Sequence, residues 1–248
     1  MKRYTLQTLL ALVVLMLSTS LWAQAFIDAE GAVAFTGYND VRIPSKGGTD
    51  FSLADDVEAD PTPVFRLRLG YTAKDRHTLF ATIAPLTIKG SGTLDKDVSF
   101  GGNTFSAGEK VDTIYRFDSY RLTYRYLFVD RYFLSVAGGI TGKIRSATIA
   151  VMSDSGYADR NDLGFVPLVH LMVHWKPSDK FSVLLDMDAL GSPYGRAEDV
   201  LLALQYAYSE SASIRLGWRL LEGGSDGGGD VYTFALINYA TVGVTVAF

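Results

Sequence analysis

From residue 26 onward the chain repeats one pattern. Apolar and polar positions alternate with a period of two over about ten residues, then give way to a short polar cluster. In 63–73, Phe65, Leu67, Leu69 and Tyr71 alternate with Arg66, Arg68 and Gly70. In 114–128, Tyr120, Leu122, Tyr124, Tyr126 and Phe128 alternate with Ser119, Arg121, Thr123 and Arg125. In 212–221, Ile214, Leu216, Trp218 and Leu220 alternate with Arg215, Gly217 and Arg219. The pattern predicts strands at 27–37, 63–73, 77–88, 114–128, 131–147, 164–175, 180–189, 198–208, 212–221 and 230–248. Four hairpins are expected, turning at Lys74-Asp75-Arg76, Val129-Asp130-Arg131, Pro177-Ser178-Asp179 and Glu210-Ser211.

Between the hairpins stand longer polar stretches, the first two at 38–62 and 89–113, so the connections are expected to alternate long and short. Outer-membrane barrels sort their loops this way, with tight periplasmic turns, longer extracellular loops and an even strand count. One opening strand, four hairpins and one closing strand predict an all-β transmembrane up-and-down barrel of about ten antiparallel strands, with eight or twelve as alternatives. Both termini then fall on the periplasmic side. No apolar stretch after residue 25 is long enough for a spanning helix.

The first residues change the picture by placing the chain outside the cytoplasm. Lys2 and Arg3 precede an apolar run from Leu9 to Leu17, and Ala23-Gln24-Ala25 puts small residues at a peptidase site. This is the layout of a cleavable signal peptide over 1–25, with the barrel domain at 26–248. The formal net charge of −4 becomes −4 − 2 = −6 once Lys2 and Arg3 are removed, which disfavours nucleic acid as a partner. Cysteine is absent, so no disulfide, thiolate metal site or catalytic cysteine is available.

Arginines on one face and aliphatic or aromatic residues on the other suit a lipid-facing sheet around a wet interior, because charge on the lipid face is costly. Tyr71, Tyr126, Phe128, Trp175, Tyr206 and Tyr208 fall beside the short turns, as a periplasmic aromatic girdle would. Trp218 falls near mid-strand and does not fit the girdle. In the last strand Val242, Val244, Val246 and the terminal Phe248 share one face. This ending resembles the C-terminal signal of bacterial outer-membrane β-barrels. The resemblance implies an outer-membrane location, insertion by the barrel-assembly machinery, and outer-membrane lipid and lipopolysaccharide as surroundings.

The inward face collects Arg66, Arg68, Arg121, Arg125, Lys143, Arg145, Arg215 and Arg219 against Glu30, Asp186 and Asp188. Two functions fit: an anion-attracting pore, or a paired network that fills the lumen. Barrels of about eight strands are filled by side chains and open channels appear at about 16 to 18, so size favours filling over narrow permeation. A three-residue turn at 177–179 would set His170 opposite Asp186 and His174 opposite Ser182, the raw material of a hydrolase. His170 and Asp186 are the catalytic candidates of an alternative reading, an enzyme acting on lipid, lipopolysaccharide or peptide. Two enzyme families use small barrels, the omptin proteases and the lipid A deacylases. The first place their site at the extracellular rim and the second face lipid, whereas these histidines lie in the lower half of their strand and face inward. The acids Asp50, Asp55, Asp56, Glu58 and Asp60 and the glycine-rich run 223–230 match no EF-hand spacing. They read as solvated loop surface, and no metal or cofactor is expected.

Overall fold

Residues 23–248 are described by the computed structural model. The expected signal peptide lies outside them apart from Ala23–Ala25, which open the first strand. The elements are β1 (Ala23–Arg42), β2 (Phe51–Ser52), β3 (Glu58–Ala59), β4 (Thr62–Ala73), β5 (His77–Ala84), β6 (Thr87–Thr93), β7 (Val98–Phe100), β8 (Asn103–Phe105), β9 (Lys110–Arg131), β10 (Leu134–Met152), β11 (Tyr157–Trp175), β12 (Phe181–Ser192), β13 (Gly195–Ala207), β14 (Ala212–Asp226) and β15 (Tyr232–Ala247). Neighbours pair antiparallel, β15 returns to β1 from Phe26↔Ala247 to Arg42↔Tyr232, and β9 pairs β10. With β5 and β6 counted as one wall strand, the result is a closed, ten-stranded, up-and-down barrel. Closure leaves no sheet edge at the level of the bilayer core, which is what lipid demands of a sheet.

At one end the connections are short: 74–76, 132–133, 176–180 and 208–211. The first is a two-centre turn in which Lys74 and Asp75 both take positive φ, 51° and 57°, the backbone hand that matches the twist of a hairpin. The start of β1 and the C-terminal residue lie here, with the Phe248 amide donating to the Ala25 carbonyl at 2.8 Å.

The other end differs from expectation. Only the first two connections are long, 43–61 and 94–109, while 153–156, 193–194 and 227–231 are tight turns. Strands continue through most of what reads as loop, β1 to Arg42, β10 to Met152, β11 from Tyr157 and β14 to Asp226. The two long connections are also not solvated coils. They hold β2, β3 and the β7–β8 hairpin, and they bury Phe51, Leu53, Val57, Leu94, Val98, Phe100 and Phe105 against Val41, Val111, Tyr115, Ile149, Val151 and Ile237 of the wall. The reason is the wall itself: above the bilayer its inward positions turn apolar, and apolar surface that cannot face lipid must be covered. The acids of 50–60 remain on the outside of this cap.

The outward face between the two ends is an apolar belt. Leu122, Ile140, Val169, Leu202, Leu204 and Leu216 are each more than half exposed, far beyond what a water-soluble surface tolerates as one patch. The belt ends where outward positions become polar, at Asp118 after Tyr120, Ser146 after Ile144, Glu198 before Val200 and Glu222 after Leu220. Phe128, Trp175 and Tyr208 stand exposed at its lower edge. Trp218 sits within the belt because it is locally satisfied: it stacks on Phe35 at 6.5 Å, and its indole N–H donates to Asn238 Oδ1 at 3.2 Å.

Candidate functional site

Strand parity delivers the inward charges. Even positions of β1 carry Asp28 and Glu30, even positions of β4 carry Arg66 and Arg68, and odd positions of β9 carry Arg121 and Arg125. Around the wall follow Lys143, His170, Asp186, Asp188, Asp199, Arg215 and Arg219. All except Arg125 are at least nine-tenths buried. Asp28 and Asp199 were not among the expected acids, and Asp199 is the most connected of all.

Five carboxylates interlock with five guanidiniums. Asp199 Oδ2 accepts from Arg66 Nη2 at 2.7 Å and from Arg121 Nη2, and its Oδ1 accepts from Arg219 Nη1. Glu30 accepts from Arg219 Nε at 2.9 Å and Nη2 at 3.1 Å, and from Arg215 Nη2 at 2.9 Å. Arg215 also reaches Asp28. Arg68 holds Asp186 in a two-pronged pair at 2.8 and 3.1 Å. Arg121 Nη1 donates to Asp188 at 2.7 Å. Each carboxylate is shared or bidentate, the geometry in which buried charge is tolerated at all. One glycine makes room for it: a Cβ at Gly243 would stand 2.4 Å from the Arg215 guanidinium carbon.

Below this network Phe80, 3% exposed, takes the Arg68 and Arg125 guanidiniums on its ring at 5.4 Å each and the His170 edge at 5.7 Å. These are cation–π distances. Sequence reading passed over Phe80, although its inward parity was available.

Three expected lumen cations stand apart from this network. Arg125 donates to Met172 Sδ at 3.2 Å, Lys143 lies over the Phe117 ring at 4.6 Å, and Arg145 pairs with Asp162 in the half-exposed upper wall.

The expected hairpin register is corrected. Trp175 pairs with Val183, which centres the turn between β11 and β12 one residue later than expected, so His170 pairs with Asp188 and Met172 with Asp186. His170 Nδ1 is 2.8 Å from Asp188 Oδ1, which also accepts from Thr141 at 2.8 Å, while Asp186 belongs to Arg68. His174 Nε2 meets Ser182 Oγ at 2.7 Å. The serine and the carboxylate therefore contact different histidines, and no serine–histidine–carboxylate relay is assembled. Among the described residues no cluster of ligating side chains suits a metal ion.

Above the charges lies the cap core. A small cavity of about 20 Å³ sits where the two layers meet, lined by Glu30, Arg66, Ser119, Arg121, Arg219 and Tyr239. The lumen is thus obstructed twice, by ion pairs and by the folded connections.

No protein-family model matches the chain, and no curated protein matches it. Solved structures do resemble it. The outer membrane protease OmpT of Escherichia coli is 12% identical with a TM-score of 0.47, over 93% of this chain and 98% of that one. The attachment invasion locus protein Ail of Yersinia pestis, in complex with the heparin analogue sucrose octasulfate, is 10% identical with a TM-score of 0.41, over 92% and 100%. The translocator domain of the autotransporter NalP of Neisseria meningitidis is 13% identical with a TM-score of 0.40, over 99% and 95%. At these identities the likeness is one of general architecture, and the lumen described above is this chain's own. This chain's architecture is a closed, ten-stranded antiparallel barrel with an apolar outer belt, the form in which a β-sheet can cross a membrane.

Proposed function

We propose that the protein is a closed, non-conducting outer-membrane barrel with a structural or surface-presenting role. The observation that carries this is the double obstruction of the lumen. An open path would need the Glu30, Asp199, Arg66, Arg121 and Arg219 network and the Phe51, Phe100 and Phe105 cap to part together. The barrel then serves to hold the cap, whose outer surface carries Asp50, Asp55 and Asp56 around a concavity of about 530 Å³.

In this reading the short turns and both termini face the periplasm and the cap faces outward. Val242, Val244, Val246 and Phe248 address the assembly machinery during insertion. Lipid and lipopolysaccharide surround the belt. The test is solute flux from proteoliposomes loaded with a small anionic dye. Retention equal to that of empty liposomes is the expected result, and release that scales with protein content would contradict the proposal.

A further inference from the structure

The lumen charges do not balance. Inward cations are Arg66, Arg68, Arg121, Arg125, Lys143, Arg215 and Arg219, and inward carboxylates are Asp28, Glu30, Asp186, Asp188 and Asp199. Arg125 is half-buried toward the short-turn mouth, where water can solvate it. Lys143 is different. It is 2% exposed, makes no ion pair among the described residues, and has only the Phe117 ring beneath its ammonium. A buried charge without a counter-charge is expensive in a low-dielectric interior.

Phe117, the ring beneath the Lys143 ammonium, also lines the cavity, together with Arg66, Arg121 and Arg219. Its carboxylate, Glu30, is already shared between Arg215 and Arg219, with Arg66 Nε at 3.9 Å. Arg66 Nη1 is buried and has no hydrogen-bond partner, although the guanidinium is more than nine-tenths buried. Tyr239, also buried, lines the same space. The volume exceeds the roughly 10–15 Å³ needed to hold one water-sized occupant.

The wall beside the cavity is locally unlaced. β4 pairs β5 only from Leu67↔Ile83 downward, and lacing resumes where the Asp60 N–H donates to the Lys89 carbonyl at 2.8 Å, beside Ala59↔Gly90 of β3 and β6. Between them stands Pro85, which has no N–H to donate, opposite Phe65 in the continued register. Both residues line the cavity from the outward side.

We infer that this cavity is a binding site for one small monovalent anion of the halide class, held by Arg66 and balancing Lys143. Chloride is the natural occupant and bromide its crystallographic marker. Binding to the folded state alone makes stability depend on anion concentration, with each tenfold rise above half-saturation raising the folded-to-unfolded ratio about tenfold.

The experiment is urea unfolding of the refolded barrel in potassium chloride against potassium gluconate at matched ionic strength, gluconate being too large for the space. It is paired with anomalous diffraction from bromide-soaked crystals of the same protein. The expected result is a gain in stability that rises with the logarithm of chloride concentration, absent in Lys143→Met, and an anomalous peak within contact of Arg66. Lys143→Met removes the surplus charge with an apolar chain of similar length, and its stability in gluconate should match or exceed wild type. Equal stability in the two salts, a gain that Lys143→Met retains, or a water without anomalous signal in the cavity would each overturn the inference.

Discussion

Replacing Asp199 by Asn perturbs the lumen at its most connected point. The carboxylate accepts from Arg66, Arg121 and Arg219, and all four side chains are at least nine-tenths buried. Asn keeps the shape and one acceptor oxygen but removes the charge and points an N–H₂ group at guanidiniums that can only donate. Arg219 retains Glu30 and Arg121 retains Asp188. Arg66 is left with Glu30 at 3.9 Å, so one guanidinium is effectively stranded. Removing one partner of a buried pair costs about 3–5 kcal/mol, and the surviving contacts of Arg121 and Arg219 place Asp199→Asn toward the lower end of that range. The assay is urea unfolding of the refolded barrel in lipid vesicles, with Arg66→Met and the double variant completing a cycle. Because the two residues share the network, the double variant should be more stable than the sum of the singles predicts, by about 1 kcal/mol or more. The reasoning is refuted if Asp199→Asn unfolds within about 0.5 kcal/mol of wild type, the range of an inconsequential surface change.

Three further outcomes follow from the layers around that network. Phe100 is fully buried in the cap, so Phe100→Ala should loosen the cap by about 3–5 kcal/mol. New protease cleavage within 94–109 on a barrel that still migrates as folded would register it, and continued resistance would count against a packed cap. Leu202 is outward in mid-belt and 57% exposed, so Leu202→Arg should cost about 2–4 kcal/mol in vesicles. A neutral effect would mean that this face does not meet lipid. Glu109 lies outside the spanning strands, and hydrogen bonds from Ser153, Ser155 and the Ser106 amide lower its carboxyl from 4.5 to about 2. Because the folded value is the depressed one, its ordering of the cap edge is fully present above pH 4.5 and is lost as pH falls through about 2. Amide exchange at Ser106 should accelerate only below that point, and titration of Glu109 near 4.5 would contradict the contact.

The wall was readable in the sequence because its information is local. Period-two alternation and short polar turns fix strand number and facing without knowledge of distant residues. Facing also gave most of the lumen list, and the same parity that selects Glu30 selects Asp28, just as the parity of Leu201 and Ala203 selects Asp199. Partner choice was not readable. A turn between β11 and β12 centred one residue later than expected kept His170 on its face yet moved it from Asp186 to Asp188, since a pairing shift of two preserves facing. The cap was hidden for a different reason. Phe51, Leu53, Val57, Phe100 and Phe105 are dispersed among Gly, Ser and Asp at irregular spacing, and such positions acquire meaning only when the wall's apolar upper interior is there to receive them. The expectation of long loops at 38–62 and 89–113 followed from composition, and composition does not report that closure.

The central claim is a closed lumen, and single-channel recording of the refolded barrel in a planar bilayer tests it most directly. The wild type should insert without steady conductance under symmetric salt and under anion or cation gradients. Stable, ion-selective steps from the wild type, altered by replacing Arg121 and Arg219 with Ala, would show that the ion pairs line a pore instead of filling it.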